Sequence, residues 1–210
     1  MNYLFDYIMV PVQVLIFLFT MYYFLIGFCG LWRKKENKIL TPEKTFAVIV
    51  AAHNEEQVIG QLVDNLQSLK YPKELYDIYV IADNCTDQTK KVAEAGGAIV
   101  CERTNDKLRG KGFAMEWMFE KLFSFEKQYD AVAIFDADNL VHPNFLLEMN
   151  NRLCKGDKLV QGYLDAKNPY DTWVAGTFAI AFWVIDHIWH LAKTNIGLSS
   201  VLGGTGMCIT

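Results

Sequence analysis

Two aspartates, Asp136 and Asp138, flank one small residue, Ala137, directly after the apolar run Ala131-Val132-Ala133-Ile134-Phe135. Hard carboxylate oxygens at that spacing suit Mg2+ or Mn2+ bridging to a diphosphate. Two more acidic positions follow apolar runs of their own: His53-Asn54-Glu55 after Phe46–Ala52, and Asp83-Asn84 after Ile78–Ala82. If these runs are strands of one parallel sheet, the residues just past them share an edge, where ligands bind at the reversal of strand order. At least three acidic groups then converge on one crevice. Unpaired carboxylates that close resist ionising together unless a cation is shared among them. The pattern predicts a metal-assisted diphosphate site.

The elements that would position these residues alternate in period. Phe46–Ala52 reads as a strand buried on both faces. Asn54 is placed to cap a helix with Glu55 and Glu56 in its first turn. Its apolar stripe is Val58, Ile59, Leu62, Val63, Leu66 and Leu69, and Tyr71-Pro72 stops it. Strands are expected over Ile78–Ala82, Ala98–Cys101, Ala131–Phe135 and Leu159–Tyr163, and Met207-Cys208-Ile209 begins another. Helices are expected from about Asp87 to the Gly96-Gly97 stop and from Lys111 to about Phe125, with Pro143 in a further first turn. This alternation predicts an α/β fold: a mostly parallel sheet with helices on both faces.

Composition narrows the function classes. With 210 residues, 52% of them hydrophobic and 21% charged, the chain is no disordered or collagen-like segment. Its 20 Lys+Arg against 24 Asp+Glu give a net charge of -4, which excludes a nucleic-acid module. Cys29, Cys85, Cys101, Cys154 and Cys208 are scattered, so reduced thiols are expected rather than a disulfide framework or structural zinc.

The apolar excess is local. Val10–Trp32 carries no charge and is long enough to cross a hydrocarbon core of about 30 Å. It fits a cleaved signal peptide poorly, because the run is too long and no small-residue cleavage site follows. Arg33, Lys34, Lys35 and Lys38 come next and predict that the following chain is cytoplasmic. Residues 1–32 thus read as an N-terminal segment and transmembrane signal anchor, 33–44 as a basic linker, and 45–210 as the folded domain. Trp173–Leu191, interrupted by Asp186, His187 and His190, reads as a buried or interface-lying helix, leaving a single-pass protein at the cell membrane. The two histidines read as packed rather than metal-ligating.

Four motifs now stand in order: Ala51-Ala52-His53-Asn54-Glu55-Glu56, Asp83-Asn84-Cys85-Thr86-Asp87-Gln88-Thr89, Arg109-Gly110-Lys111-Gly112 and Asp136-Ala137-Asp138. Together they resemble a family-2 glycosyltransferase of the GT-A fold, nearest the membrane-anchored cellulose, hyaluronan and poly-N-acetylglucosamine synthase branch. The resemblance spans about residues 45 to 210. It implies a hexosyl- or N-acetylhexosaminyltransferase that moves a sugar from a UDP-sugar to a polysaccharide or lipid acceptor, with Mg2+ or Mn2+ as cofactor. Ala52, Asn54 and Glu55 would hold the nucleotide, Asp83 the base through uracil N3–H, and Lys111 the donor's nucleotide end. Asp136 would lie near the ribose and, with Asp138, serve the metal and catalysis. Gly203-Gly204-Thr205-Gly206 resembles the segment lining the acceptor side, through Gly204, Thr205 and Gly206. The family's general base and Gln-x-x-Arg-Trp motif would follow beyond Thr210, so the chain reads as incomplete at its C-terminus.

Singly, each motif has a plainer reading. Glu55 and Glu56 are acids a helix dipole favours, Asp83-Asn84 is ordinary turn chemistry, and Asp-x-Asp is common in loops. Gly110-Lys111-Gly112 lacks the P-loop pattern. Two rival functions follow: a nucleotide-sugar-binding fragment or scaffold without catalysis, and a phosphohydrolase with Asp136 as nucleophile. The second wants Thr or Val two residues after Asp138, where Leu140 stands.

Overall fold

A computed structural model describes residues 3–32 and 40–210. The basic flank Arg33, Lys34, Lys35 and Lys38, on which the sidedness expectation rests, lies outside the described residues. The chain divides into two compact units, Met1–Lys35 with Tyr163–Val201, and Glu36–Gly162 with Leu202–Thr210.

The larger unit is the α/β body. Its elements are β1 (Phe46–Ala52), β2 (Tyr76–Asp83), β3 (Ile99–Arg103), β4 (Ala131–Asp136), β5 (Leu159–Gln161) and β6 (Met207–Ile209). Numbering helices along the whole chain, it contains α2 (Ile59–Gln67), α3 (Thr89–Ala95), α4 (Lys111–Phe123) and α5 (Phe145–Cys154). The strands form one sheet in the order β3-β2-β1-β4-β6-β5. β1 pairs in parallel with both β2 and β4, and β2 with β3. β6 runs antiparallel between β4 and β5. The sheet is mixed, with its parallel part where the apolar runs predicted it.

Alternation along the strands builds two cores. Phe46, Val48 and Val50 face one way, onto Leu62 and Leu66 of α2, Ala93 of α3 and Leu146 and Met149 of α5. Ala47 and Ile49 face the other, onto Ala114, Met118 and Leu122 of α4. Strands covered on both faces need continuous apolar sequence, which is what Phe46–Ala52 supplies.

α2 begins later than the sequence suggests. Asn54 takes φ +56° and caps nothing; the helix starts at Ile59 without a side-chain cap. The intervening residues are held by the neighbouring loop, as described below, so tertiary contacts displace the cap.

The smaller unit contains α1 (Tyr3–Cys29), α6 (Trp173–Val184), a π-helical turn over Ile185–His190, and α7 (Leu191–Asn195). The last three form one helical rod, long and apolar enough to cross a membrane, as is α1. The rod is not buried, contrary to one of the two sequence expectations: Trp173 is 84% exposed and Phe178 63%. Asn195 Nδ2 donates to the carbonyls of Cys29 and Trp32, each at 2.7 Å. Gly30 permits the contact with α1, since a Cβ there would lie 2.6 Å from the His187 carbonyl oxygen.

One buried amide secures the entry to β1. Asn150 of α5 accepts from the backbone N–H of Glu43 and Lys44, both at 3.1 Å, and donates to Thr41 O at 3.1 Å. Replacing Asn150 by Leu leaves these groups unpaired in the interior. The Asn150→Leu variant is expected to lose roughly 2–4 kcal/mol of stability, read as a lower denaturant midpoint at unchanged slope.

Candidate active site

All four parallel strands end at one edge, and the chain order reverses there: β2 and β3 lie on one side of β1, and β4 on the other. Ligands bind at such a switch point. In register, Asp83 at the end of β2 stands beside Arg103 at the end of β3, and Asp136 at the end of β4 beside Ala51 of β1. A cleft of about 340 Å3 opens at this edge, lined by Ala52, His53, Asp83, Asn84, Arg109, Lys111 and Asp136 among others.

The carboxylates in it are not bare. The buried Arg103 guanidinium donates from Nη1 to Asp83 Oδ1 at 2.6 Å and from Nη2 to Leu108 O at 2.7 Å. Asn84 Nδ2 also donates to Oδ1, at 3.1 Å. Lys111 pairs with Asp136 Oδ1 and donates to Gly204 O at 2.7 Å. Three unpaired acids gathered around one ion, the arrangement anticipated from sequence, is therefore corrected. Each cleft carboxylate has a basic partner, and among the described residues no group of three His, Cys, Asp or Glu side chains is arranged to hold a metal. The reason is register: β3 delivers a cation opposite Asp83, and α4 delivers one opposite Asp136.

Lys111 owes its position to backbone conformation. It is the first residue of α4, preceded by Gly110 at φ +109°, a conformation that favours glycine. A cation at a helix N-terminus opposes the macrodipole, so the Asp136 partner offsets an unfavourable placement.

The first two loops lock together. Asn54 Oδ1 accepts from Thr86 N at 2.8 Å, and Glu55 N donates to Thr89 Oγ1 at 2.8 Å. Glu56 Oε2 accepts from Gln88 N at 2.8 Å while Asp87 Oδ2 accepts from Glu56 N at 3.1 Å. His53 Nδ1 lies 2.7 Å from Asp83 O. Asn54 and Glu55 are thus brought to the rim, but neither lines the cleft. Burial pushes the Cys85 thiol up, so it is a protonated spacer rather than a nucleophile.

The glycine-rich segment meets the Asp136 turn. Asp136 N donates to Thr205 Oγ1 at 3.0 Å and to Asn139 Oδ1 at 3.1 Å, and Thr205 Oγ1 also bonds Asn139 Oδ1. Gly206 N donates to Ile134 O at 2.8 Å. Gln161 grips the segment from β5, accepting from Gly203 N at 2.7 Å and donating to Thr205 O at 2.9 Å. Asp138 is not among the residues lining the cleft: it is exposed, and its one hydrogen bond among the described residues comes from Asn139 Nδ2 at 3.3 Å.

A Glycosyltransferase like family 2 model matches residues 42–210. The chain belongs to glycosyltransferase family 2. The phosphohydrolase reading falls with that membership. Beta-monoglucosyldiacylglycerol synthase of Nostoc sp. (strain PCC 7120) is 33% identical over 108 residues, covering 49% of this chain and 22% of that protein. The match covers about a fifth of the length of this and two further curated relatives. A mannosyltransferase from Pyrobaculum calidifontis, solved with GDP-Man and Mn2+, superposes with TM-score 0.64 at 18% identity, over 90% of this chain and 51% of that one. Glucosyl-3-phosphoglycerate synthase from Mycobacterium tuberculosis, solved with UDP, gives 0.53 at 22%, over 85% and 63%. The fold is GT-A.

Sequence reasoning missed Arg103 and Gln161. Arg103 carried a faint signal, a charge closing an apolar strand, but its partner is visible only once β2 and β3 are in register. Removing it in Arg103→Met strands a buried carboxylate, at an expected cost of roughly 3–5 kcal/mol by denaturant titration. Asp83→Asn, which keeps a hydrogen-bond acceptor, is expected to cost less.

Partial loss of water raises the Asp87 carboxyl, but hydrogen bonds from the Thr89 hydroxyl and amide and from Glu56 N outweigh it and hold the group below the ordinary carboxylate range. A depressed folded-state value means the stabilisation is present at neutral pH and is lost as pH falls through that value. Wild type and Asp87→Asn are therefore expected to differ in stability at neutral pH and converge in acid.

Proposed function

We propose that the cleft binds the nucleotide of a UDP-sugar and that the protein transfers the sugar to a polysaccharide or lipid acceptor at the cytoplasmic membrane face. The observation carrying this reading is that Asp83, Lys111 and Asp136, far apart in sequence, line one cleft at the strand-order switch of a family-2 fold. Asp83 presents Oδ2 as its open oxygen, since Arg103 and Asn84 both occupy Oδ1. One open acceptor matches the single N3–H of uracil better than the paired N–H donors of guanine. Ala52 lines the cleft and Asn54 and Glu55 stand at its rim on the nucleotide side, while Gly204, Thr205 and Gly206, which meet Lys111 and the Asp136 turn, are assigned to the acceptor side.

A divalent cation fits as a shared ion rather than a caged one. Asp138 offers a carboxylate in contact only with Asn139, and Asp136 keeps Oδ2 beyond its Lys111 pair. Mg2+ characteristically takes one or two carboxylates and completes its shell with phosphate and water, and Mn2+ also takes carboxylate oxygens. The relatives solved with GDP-Man and Mn2+ and with UDP support a donor of this class. When bound, the ion would stabilise negative charge on the leaving diphosphate.

Lys111 supplies a second positive charge at that position. In the transfer, the bond between the anomeric carbon and the UDP oxygen breaks, a bond from that carbon to the acceptor hydroxyl forms, and the hydroxyl proton must pass to a base. Asp83 and Asp136 are engaged by Arg103 and Lys111, so neither is assigned that task. The Nostoc relative's name, a glucosyldiacylglycerol synthase, favours a lipid acceptor, and α1 fits a membrane anchor.

Isothermal titration with UDP and GDP, with and without Mn2+, tests the reading. UDP binding is expected only with metal, stronger than GDP, and weakened at least tenfold in Asp138→Ala. Metal-independent UDP binding that Asp138→Ala leaves unchanged overturns it.

A further inference from the structure

The rod Trp173–Asn195 is amphipathic the wrong way round for water. Its inward stripe holds Ala179, Trp183, Asp186 and His190, three or four residues apart, so it combines small and polar groups. Two of these are satisfied inside the unit: Asp186 Oδ2 accepts from Leu164 N at 2.9 Å, and Trp183 Nε1 donates to Asp165 Oδ1 at 2.6 Å; the buried His190 Nδ1 lies 3.7 Å from Asp186 Oδ1, too far for a hydrogen bond. The His187 ring meets that of Tyr163 edge-on at 5.1 Å. The remaining surface is apolar and open to the outside, with Phe178 63% and Ile180 58% exposed. Thr177 and Thr194, exposed on the rod, return their hydroxyls to Trp173 O and His190 O, each at 2.9 Å. A helix in water turns its apolar side inward. One that pairs its ionisable groups inward and shows hydrocarbon outward is built for a non-aqueous neighbour.

From Tyr7 onward α1 shares this character, its exposed side chains being mostly apolar, and Thr20 likewise bonds back to Ile16 O at 2.9 Å. The two helices touch, through Gly30 and through Tyr23 against Trp189 at 4.9 Å. The exposed apolar surface is therefore continuous with the element read as the membrane anchor. Lys193, at the end of the rod, lays its ammonium 4.8 Å over the Trp189 ring.

By length the rod is capable of spanning a bilayer, but connectivity opposes it. The chain leaves the α/β body at Gly162 and returns at Leu202, so a spanning rod would drag residues 163–172 through the hydrocarbon. That stretch carries Asp165, Lys167 and Asp171, and charge in the bilayer centre is strongly disfavoured. We infer that Trp173–Asn195 lies within one leaflet, its apolar side in the acyl chains and its Asp186–His190 stripe roofed by Tyr163–Asp165. The occupant of the surface is lipid. The inference rests on the membrane reading of α1 and is independent of the donor reading.

The whole protein in phosphatidylcholine vesicles, carrying a phospholipid with a photoreactive diazirine on its acyl chain, tests this by peptide mapping of adducts. Adducts are expected on α1 and at Phe178, Ile180 and Phe182, but not at Ala179 or Asp186. In sealed vesicles selected for an outward-facing α/β body, Tyr170→Cys is expected to react with an impermeant maleimide. The mapped peptide separates it from native cysteines. Labelled α1 with an adduct-free rod overturns the inference, as does Tyr170→Cys that reacts only after permeabilisation, which means spanning. Chain-to-chain crosslinks through Phe178 in place of lipid adducts assign the surface to a second copy. Adducts on neither helix remove the membrane reading itself, and UDP titration on the same sample reports separately on the cleft.

Discussion

An enclosed carboxylate at the end of a parallel strand needs a counter-charge beside it, and such pairing organises the edge where the strands end. Asp83 is paired by Arg103, and Asp136, which water also reaches, by Lys111. The two pairs differ in kind. Arg103–Asp83 is almost wholly enclosed, so its attraction is little screened and its geometry is fixed by register between β2 and β3. Lys111–Asp136 is half-open to solvent, on a flexible side chain, and so is free to exchange partners when a phosphate arrives.

The loops beyond the strands inherit their order from these pairs. Arg103 spends its second nitrogen on Leu108 O, and Asn84 Oδ1 receives Asn105 N at 2.8 Å, so the segment leading to Arg109 and Lys111 hangs from the end of β2. On the other side the two acidic loops exchange side chain for backbone, and Thr205 braces the Asp136 turn. The loops at Asn54 and Asn84 are densely hydrogen-bonded, whereas Asp138 has one weak hydrogen bond among the described residues.

The smaller unit is arranged differently. Trp183 and Asp186 turn their polar atoms inward while Phe178 and Ile180 are exposed, the reverse of the α/β body, where Phe46, Leu62 and Met118 are fully enclosed.

Strand positions, the α/β class, the two helical faces and the family were legible in the residues, because period and motif order are local properties. Phe46–Ala52 needed no partner to be read as a doubly buried strand. Asn54 was misread as a cap because the Thr86 amide that takes its side chain is 32 residues away. Asp83 and Asp136 were read correctly as edge residues but wrongly as unpaired, since Arg103 and Lys111 become their neighbours only through sheet register and the Gly110 turn. Residue types determine which charges exist and which segments are apolar; only the tertiary structure decides which charges neutralise one another, because pairing is a matter of distance across strands rather than along the chain.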